Sequence, residues 1–163
     1  MSMYTRVSLL AAMAAAAAAQ PRITEVRNHA GNIPPGMPNH AIARGAIMAL
    51  RGSGLAAEGG LSQDPVLDRN LGGVSVRVTV GGAATMAIPY SVSPGLIVAI
   101  LPSATPEGDG SVTVAYNGQT SPPAPVRVVT SAFGIATIDE SGGGVAAAFD
   151  ADSKPITFTA SAN

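Results

Sequence analysis

One stretch, residues 71–101, reads LGGVSVRVTVGGAATMAIPYSVSPGLIVAIL and decides the fold. In its first part valines alternate with polar residues, so that one face is apolar: Val74, Val76, Val78 and Val80. This period of two indicates a half-buried β-strand. Gly81-Gly82 then predicts a tight hairpin, because glycine readily takes the positive φ of such a turn. The alternation resumes over residues 84–88, which predicts a second strand.

The same stretch ends on a third predicted strand. Ser93-Pro94-Gly95 is a turn signal, and residues 96–101, LIVAIL, contain no polar side chain. Such a strand is typical of one that is covered on both faces. The three predicted strands form the nucleus of a β-sheet, and four of their side chains are predicted to share one core: Val76, Val78, Ile97 and Ile100.

The composition favours short strands and excludes several kinds of chemistry. Of the 163 residues, 47% are hydrophobic but only 4% aromatic, so the core must consist mainly of aliphatic side chains. The 19 glycines and 13 prolines are typical of strands joined by turns. With a formal net charge of -1, the chain has no basic field that attracts nucleic acid or anionic lipid. Because there is no cysteine, disulfides, zinc-thiolate sites and thiol nucleophiles are excluded.

Residues 1–19 are typical of a secretory signal peptide. Arg6 supplies the positive charge, an apolar run follows from Val7, and small alanines precede a predicted cut before Gln20. The run is short for a membrane span, which needs about 20 apolar residues. The alternative is an alanine-rich helical extension of the mature protein, since alanine is the best helix former. The signal predicts a secreted or cell-surface protein with no lipid anchor and no stable membrane insertion after cleavage.

Further strands are predicted on both sides of the nucleus. They cover residues 22–27, 45–55, 112–116 and 126–129, with loops at 28–44 and 57–70, the latter with one helical turn at most. Asn117-Gly118 is the strongest short hairpin signal in the chain. Pro122, Pro123 and Pro125 are typical of a sheet edge and predict that the opposite edge accepts partner strands. About seven short strands separated by turns predict an antiparallel β-sandwich over residues 20–130.

The last segment, residues 131–163, differs from the sandwich in its pattern. Residues 133–138 and 145–149 are predicted to form a β-hairpin, and Ile156, Phe158 and Ala160 make a last alternating run. This segment is predicted to be a β-rich extension, or the start of a truncated second module. We expect it either to pair back onto its own sandwich or to dock on a second copy or a further module, with the Ile156, Phe158 and Ala160 face in contact.

Some of these segments resemble known families. Residues 45–55, GAIMALRGSGL, are similar to the G-x-x-x-x-(I/L)-x-G-x-x-L strand of IPT/TIG domains, which are immunoglobulin-like. Three others resemble an uncharacterised secreted C-terminal domain family of the Solibacter type: residues 71–76, 90–97 and 132–135. The resemblance implies an immunoglobulin-like sandwich at the end of a larger exported protein. It implies no catalytic residues, because that family has no established activity.

Two groups of side chains are weighed as metal ligands. His29 and His40 share a loop, and a metal site would need further ligands such as Glu25, Asn28 and Asn39, which are near in sequence; solvated loop histidines are favoured over a metal site. A second group of acidic residues suits calcium by its oxygen ligands, but lacks the Asp-x-Asp-x-Asp-Gly pattern: Asp139, Glu140, Asp150 and Asp152. Turn formation and solubility are favoured there, and no metal or cofactor is predicted.

Other residues with chemical potential are assigned to structure. Ser53 lies between glycines, but a nucleophile elbow needs glycine where Arg51 and Leu55 stand. Gly72-Gly73 and Gly81-Gly82 are predicted to be turn glycines, since no helix follows them as in a phosphate loop. Tyr90 and Tyr116 are predicted to be buried tyrosines that hydrogen-bond a loop backbone.

These patterns favour a non-catalytic, exported immunoglobulin-like module for adhesion, spacing or extracellular assembly. Its predicted partner is a protein, or a second copy, that binds through a strand edge. One alternative is a carbohydrate-binding module, with calcium as an assisting ion, although such modules use exposed aromatics and this chain has no Trp, 3 Tyr and 3 Phe. The other is an accessory domain of a larger secreted hydrolase.

Overall fold

The computed structural model describes residues 20–37, 39–64, 67–139, 145–154 and 156. Within them the regular elements are β-strands: β1 Arg22–Asn28, β2 Ile42–Ala43, β3 Ile47–Ser53, β4 Leu61–Ser62, β5 Ser75–Val80, β6 Ala83–Met86, β7 Ile88–Val92, β8 Leu96–Ile100, β9 Gly108–Tyr116, β10 Gln119–Thr120 and β11 Ala124–Val129. None of the described residues belongs to a helix long and apolar enough to cross a membrane. The predicted signal peptide lies outside these residues.

The strands form two sheets that pack face to face as an immunoglobulin-like sandwich. The first has the order β1-β3-β8-β7-β4, and the second β2-β11-β9-β5-β6, with β10 also paired to β9. All these pairs are antiparallel except β2–β11, which is parallel. The core between the sheets is aliphatic, as the composition requires. Its fully buried members include Met48, Leu50, Ile97, Val76, Val78, Val112 and Val114.

The predicted hairpin at Gly81-Gly82 is confirmed, but the nucleus does not stay in one sheet. β5 and β6 pair across two glycines whose φ angles are 56° and 83°. The chain then crosses at the fully buried Ala87, whose N–H donates to the carbonyl of Val76, and β7 joins the other sheet beside β8. The predicted strand over residues 84–88 is therefore split. The prediction was wrong because the apolar residues Ala84, Met86 and Ile88 keep the period of two across Ala87, so the sequence does not show where the chain changes sheets.

β8 corrects the predicted core in one position. Ile97 is fully buried with Val76 and Val78, but Ile100 is only partly buried and lies outside the core cluster. Ile97 and Ile100 are separated by an odd number of positions, so a period of two places them on opposite faces. The prediction of cover on both faces is confirmed at Val98, which points away from the core and is still only 9% exposed.

A β-bulge explains the irregular pattern of β1. Ile23 and Val26 are three positions apart, yet both pack on the core, because the register of β1 on β3 shifts between Ile23 and Glu25. Gly52, Ser53 and Gly54 predict a break in β3 with a bend or bulge, but β3 continues through Gly52 and ends at Ser53. A Cβ on Gly52 would lie 2.0 Å from the carbonyl oxygen of Arg22, so glycine is required for β1 to approach.

The loops and the second half of the sandwich differ from the predictions at several strands: β2 lies within the predicted loop at 28–44, and β11 begins at Ala124 rather than at Val126. The predicted loop at 57–70 contains the short strand β4, and its described residues hold no helical turn. β9 begins at Gly108, earlier than predicted. The Asn117-Gly118 hairpin is confirmed, with positive φ at both residues. β11, which contains Pro125, pairs with β9 along most of its length and with β2 only at Val128 and Val129.

The described part of the extension forms a narrow hairpin. Thr137 and Ala146 form an antiparallel bridge, flanked by hydrogen bonds from Ile138 N–H to the Val145 carbonyl and from Ala147 N–H to the Ala136 carbonyl. Ile156 donates its N–H to the carbonyl of Ala148, which also belongs to the extension. Phe158 and Ala160, the rest of the predicted contact face, lie outside the described residues.

Candidate interaction sites

The edge strand β6 presents backbone groups to solvent. Gly81-Gly82 is a two-residue hairpin loop, so Ala83 and Val80 form a hydrogen-bonded pair across it. Pairing alternates along an antiparallel ladder, which turns the N–H and C=O groups of Ala84 and Met86 away from β5. Among the described residues no strand pairs with that side of β6.

The other sheet edges are covered more fully. β4 pairs with the free side of β7, and Gln63 extends this cover by donating its backbone N–H to Tyr90 and its side-chain amide to the Pro89 carbonyl. β2 pairs with the end of β11, and β1 contacts both of these strands across the side of the sandwich. Among the residues that the structure describes, β6 therefore differs from β7 and β11 in having no short strand paired to its outer side.

The sequence of β6 lacks the usual protection of an edge. Ala83-Ala84-Thr85-Met86 contains no charge and no proline, and it pairs with β5 in a regular register without a bulge. Ala83 and Ala84 are exposed. Beside the edge, the outer surface of the sheet forms a shallow depression lined by one charged, one apolar and several small side chains: Ser75, Arg77, Met86, Thr113, Ala115 and Thr120.

A second candidate site lies between the outer face of the other sheet and the extension. A cavity of about 460 Å³ has Ala49 of β3 and Leu96 of β8 on its sheet side, and Ala136 and Ala147 on its extension side. This position of the extension accounts for the burial of Ala49 on a face that points away from the core. The extension in turn exposes apolar side chains to solvent, and Phe133 is 81% exposed.

Asn28 ties the start of the extension to the sandwich. Its Oδ1 accepts the N–H groups of Ala30 (3.0 Å) and Gly31 (3.1 Å), and its Nδ2 donates to the Ala132 carbonyl at 3.3 Å. Gly31 and Gly134 then touch backbone to backbone, and a Cβ on Gly134 would lie 2.5 Å from the Gly31 nitrogen. The sequence analysis did not predict this contact between the loop after β1 and the extension. Gly134 in the segment AFGI is the one sequence feature that could have indicated it, but nothing in the sequence connects Gly134 to Gly31.

On the outer face of β1 and β3, Arg27 and Arg51 share the carboxylate of Glu25, and Arg27 contacts it more closely than Arg51 does. Glu25 accepts a hydrogen bond from Arg27 through Oε1, while its Oε2 lies 3.9 Å from Nε of Arg51. Arg27 also donates from Nη1 to the Asn32 carbonyl at 2.9 Å. Among the described residues, the Arg51 guanidinium has no hydrogen bond, and its side chain is 50% exposed where it lines the cavity.

The structure separates the two histidines weighed as metal ligands. His29 lines the cavity, whereas Nδ1 of His40 lies 2.7 Å from the carbonyl oxygen of Ile33. Among the described residues, no three histidine or acidic side chains are grouped closely enough to hold a metal ion. Asn28, considered as a further ligand, uses its side chain in the joint with the extension.

Asp150 organises a turn. Its Oδ1 accepts the backbone N–H groups of Asp152 (3.0 Å) and Lys154 (2.8 Å), and its N–H donates to the Lys154 carbonyl. Ser153 takes a positive φ of 63° within this turn. Asp139 ends the described part of the hairpin, and Glu140 lies outside the described residues.

The remaining candidates take structural positions. Ser53 is the exposed last residue of β3 and is not followed by a helix. Gly72 and Gly73 form the predicted turn, with φ angles of 57° and 82°. Tyr116 is partly buried against the core, but the prediction of burial is wrong for Tyr90, which lies where the β7–β8 register shifts and is 48% exposed.

Comparison with family models gives one match, to the IPT/TIG domain, over residues 38–128. This segment is more than half of the chain and includes β2 to β10 and most of β11. The chain belongs to the IPT/TIG family. The IPT/TIG match thus covers the β6 edge and most strands of both sheets, while β1 and the extension lie outside it. Among the curated proteins, none matches the chain significantly.

Two solved structures are similar to this IPT/TIG chain. One is a "putative bacterial DNA binding protein" from Bacteroides vulgatus ATCC 8482, with 13% identity, a TM-score of 0.45, and coverage of 68% of this chain and 47% of that one. The other is the Lin-41 filamin domain, with 10% identity, a TM-score of 0.35, and coverage of 69% and 100%. The chain thus spans about half of the first protein's length.

Proposed function

We propose that the chain is an exported, non-catalytic IPT/TIG module that assembles with another polypeptide by strand addition at β6. The observation that carries this proposal is the bare edge, where Ala84 and Met86 offer their N–H and C=O groups outward. Membership of an immunoglobulin-like family and the signal-like residues 1–19 support the proposal. The carbohydrate-binding and hydrolase-accessory hypotheses stay predictions.

A second copy of the chain fits this edge by symmetry. Two β6 strands that meet antiparallel about a twofold axis present the same donors and acceptors to each other, which makes the contact self-complementary. No like charges oppose each other, because β6 consists of alanine, threonine and methionine. Only a few hydrogen bonds form, so we expect a weak and reversible dimer.

Ala84→Pro tests this contact. Proline at this position removes the outward N–H and places its ring where the partner strand sits, but spares the ladder to β5. We expect sedimentation velocity of residues 20–163 to show concentration-dependent dimers, and we expect Ala84→Pro to abolish them without lowering the urea midpoint by much. Ala84→Ser, which keeps the N–H, is the matched control.

Hydrogen exchange separates this edge from other contacts. In the dimer the amides of Ala84 and Met86 should become protected at high protein concentration, while those of Ala83 and Thr85 are already protected by β5. A strictly monomeric chain, or dimers that survive Ala84→Pro, would contradict assembly through β6.

Export makes a separate prediction. If residues 1–19 direct secretion and are removed, mass spectrometry of the exported protein should give an N-terminus within a residue or two of Gln20. Arg6→Glu, which reverses the charge that precedes the apolar run, should reduce the exported fraction, and Arg6→Lys is its control. Recovery of intact residues 1–19 from the exported fraction would contradict this part of the proposal.

A further inference from the structure

The cavity under the extension combines apolar walls with one arginine, Arg51, whose ion pair with Glu25 is long at 3.9 Å. Its size, about 460 Å³, is within the range of small-molecule sites, roughly 300–1,000 Å³. Ala49, Leu96, Ala147 and Phe149 supply apolar walls from both sides. Sites of this kind bind ligands that have an apolar body and a few polar atoms in defined places.

Arg51 determines the charge of the ligand. One carboxylate, that of Glu25, lies between the guanidiniums of Arg27 and Arg51 and is hydrogen-bonded to Arg27, so these three side chains together carry one net positive charge. The Arg51 guanidinium makes no hydrogen bond within the described residues, so its donors are available to a ligand. A guanidinium fork matches a carboxylate with two parallel hydrogen bonds.

Other residues that line the cavity limit the chemical class of the ligand further. His29 adds a ring that can donate a hydrogen bond, and Phe149, which is 59% exposed, adds an aromatic wall at the mouth. A phosphate would bring about two negative charges, which a single arginine matches less well than the one charge of a carboxylate. A neutral apolar ligand would leave the Arg51 guanidinium with its long ion pair to Glu25 and without a hydrogen bond from the ligand.

We propose that this cavity binds a small monocarboxylic acid with an aliphatic or aromatic body. The carboxylate pairs with Arg51, and the apolar body lies between Ala49 and Leu96 of the sheet and Ala147 and Phe149 of the extension. This site is independent of the β6 edge, since the two lie on different sheets. Either proposal therefore stands or fails without the other.

Titration with hexanoate tests the site on the native chain. In ¹H–¹⁵N spectra of residues 20–163, hexanoate should give saturable shifts at the amides of Ala49, Leu96 and Ala147, and 1-hexanol should bind at least about tenfold more weakly. Equal affinity for hexanoate and hexanol, shifts confined to other parts of the chain, or no saturable shift at all would overturn the proposal.

Variants assign the selectivity to Arg51. Arg51→Gln should weaken hexanoate binding about tenfold or more and remove the preference over hexanol. Arg69→Gln, which changes an exposed arginine away from the cavity, is the matched control and should bind like the native chain. Phe149→Ser should weaken both ligands. If Arg51→Gln binds hexanoate as the native chain does, the proposal is wrong.

Discussion

At the scale of the residue, glycine decides where backbones approach each other. Gly52 of β3 allows β1 to lie close beside β3, because a Cβ on residue 52 would lie 2.0 Å from the Arg22 carbonyl oxygen. The glycines in the turns were predictable from sequence, since paired glycines between alternating runs indicate tight turns. The close contacts at Gly52 and between Gly31 and Gly134 were not, because they depend on which segments meet in space.

Gly52→Ala should therefore destabilise the sandwich by about 1–3 kcal/mol, because β1 must move away to relieve the overlap. Gly95→Ala is the matched control: a Cβ there would lie 3.8 Å from the nearest atom, the Gly52 oxygen, and the change should stay within about 0.5 kcal/mol. Urea midpoints measure both. Equal effects of the two substitutions would mean that the contact with Arg22 does not restrict the strand.

At the scale of the element, the alternation of apolar and polar residues predicted most of β5 and β9, and an apolar run predicted β8. In β8 the prediction of which side chains face the core was partly wrong, because an all-apolar strand does not alternate. Residues 96–101 are all apolar, so sequence alone does not say which of them point inward. In the structure Ile97 faces the core, and Ile100 pairs with Ile47 and Ile88 on the outer face. Only the pairing of β8 with its neighbours fixes this facing.

The two isoleucines of β8 should accordingly differ when truncated. Ile97→Ala removes a fully buried side chain and should cost about 2–5 kcal/mol. Ile100→Ala, at a partly buried position, should cost about 1 kcal/mol. Chemical denaturation of the two variants, compared with the native chain, checks the order. A larger loss for Ile100→Ala would reverse the facing assigned to β8.

At the scale of the whole molecule, the sequence predicted the class of fold better than the candidate sites. Alternation, turn signals and the GAIMALRGSGL segment were sufficient for an immunoglobulin-like sandwich, since these are local patterns. The bare edge arises from the crossing at Ala87, and the cavity arises from the way the extension lies over Ala49 and Leu96. Both depend on contacts between segments distant in sequence, which local patterns do not encode.

The crossing at Ala87 also has a mechanical consequence. β6 is held at one end by the glycine turn and at the other by Ala87, beyond which the chain enters the opposite sheet. A partner that pulls on β6 therefore loads both sheets at once, and the strand has no loose end from which to peel. We expect a force applied at this edge to act as shear on the whole sandwich, because β6 is attached to both sheets.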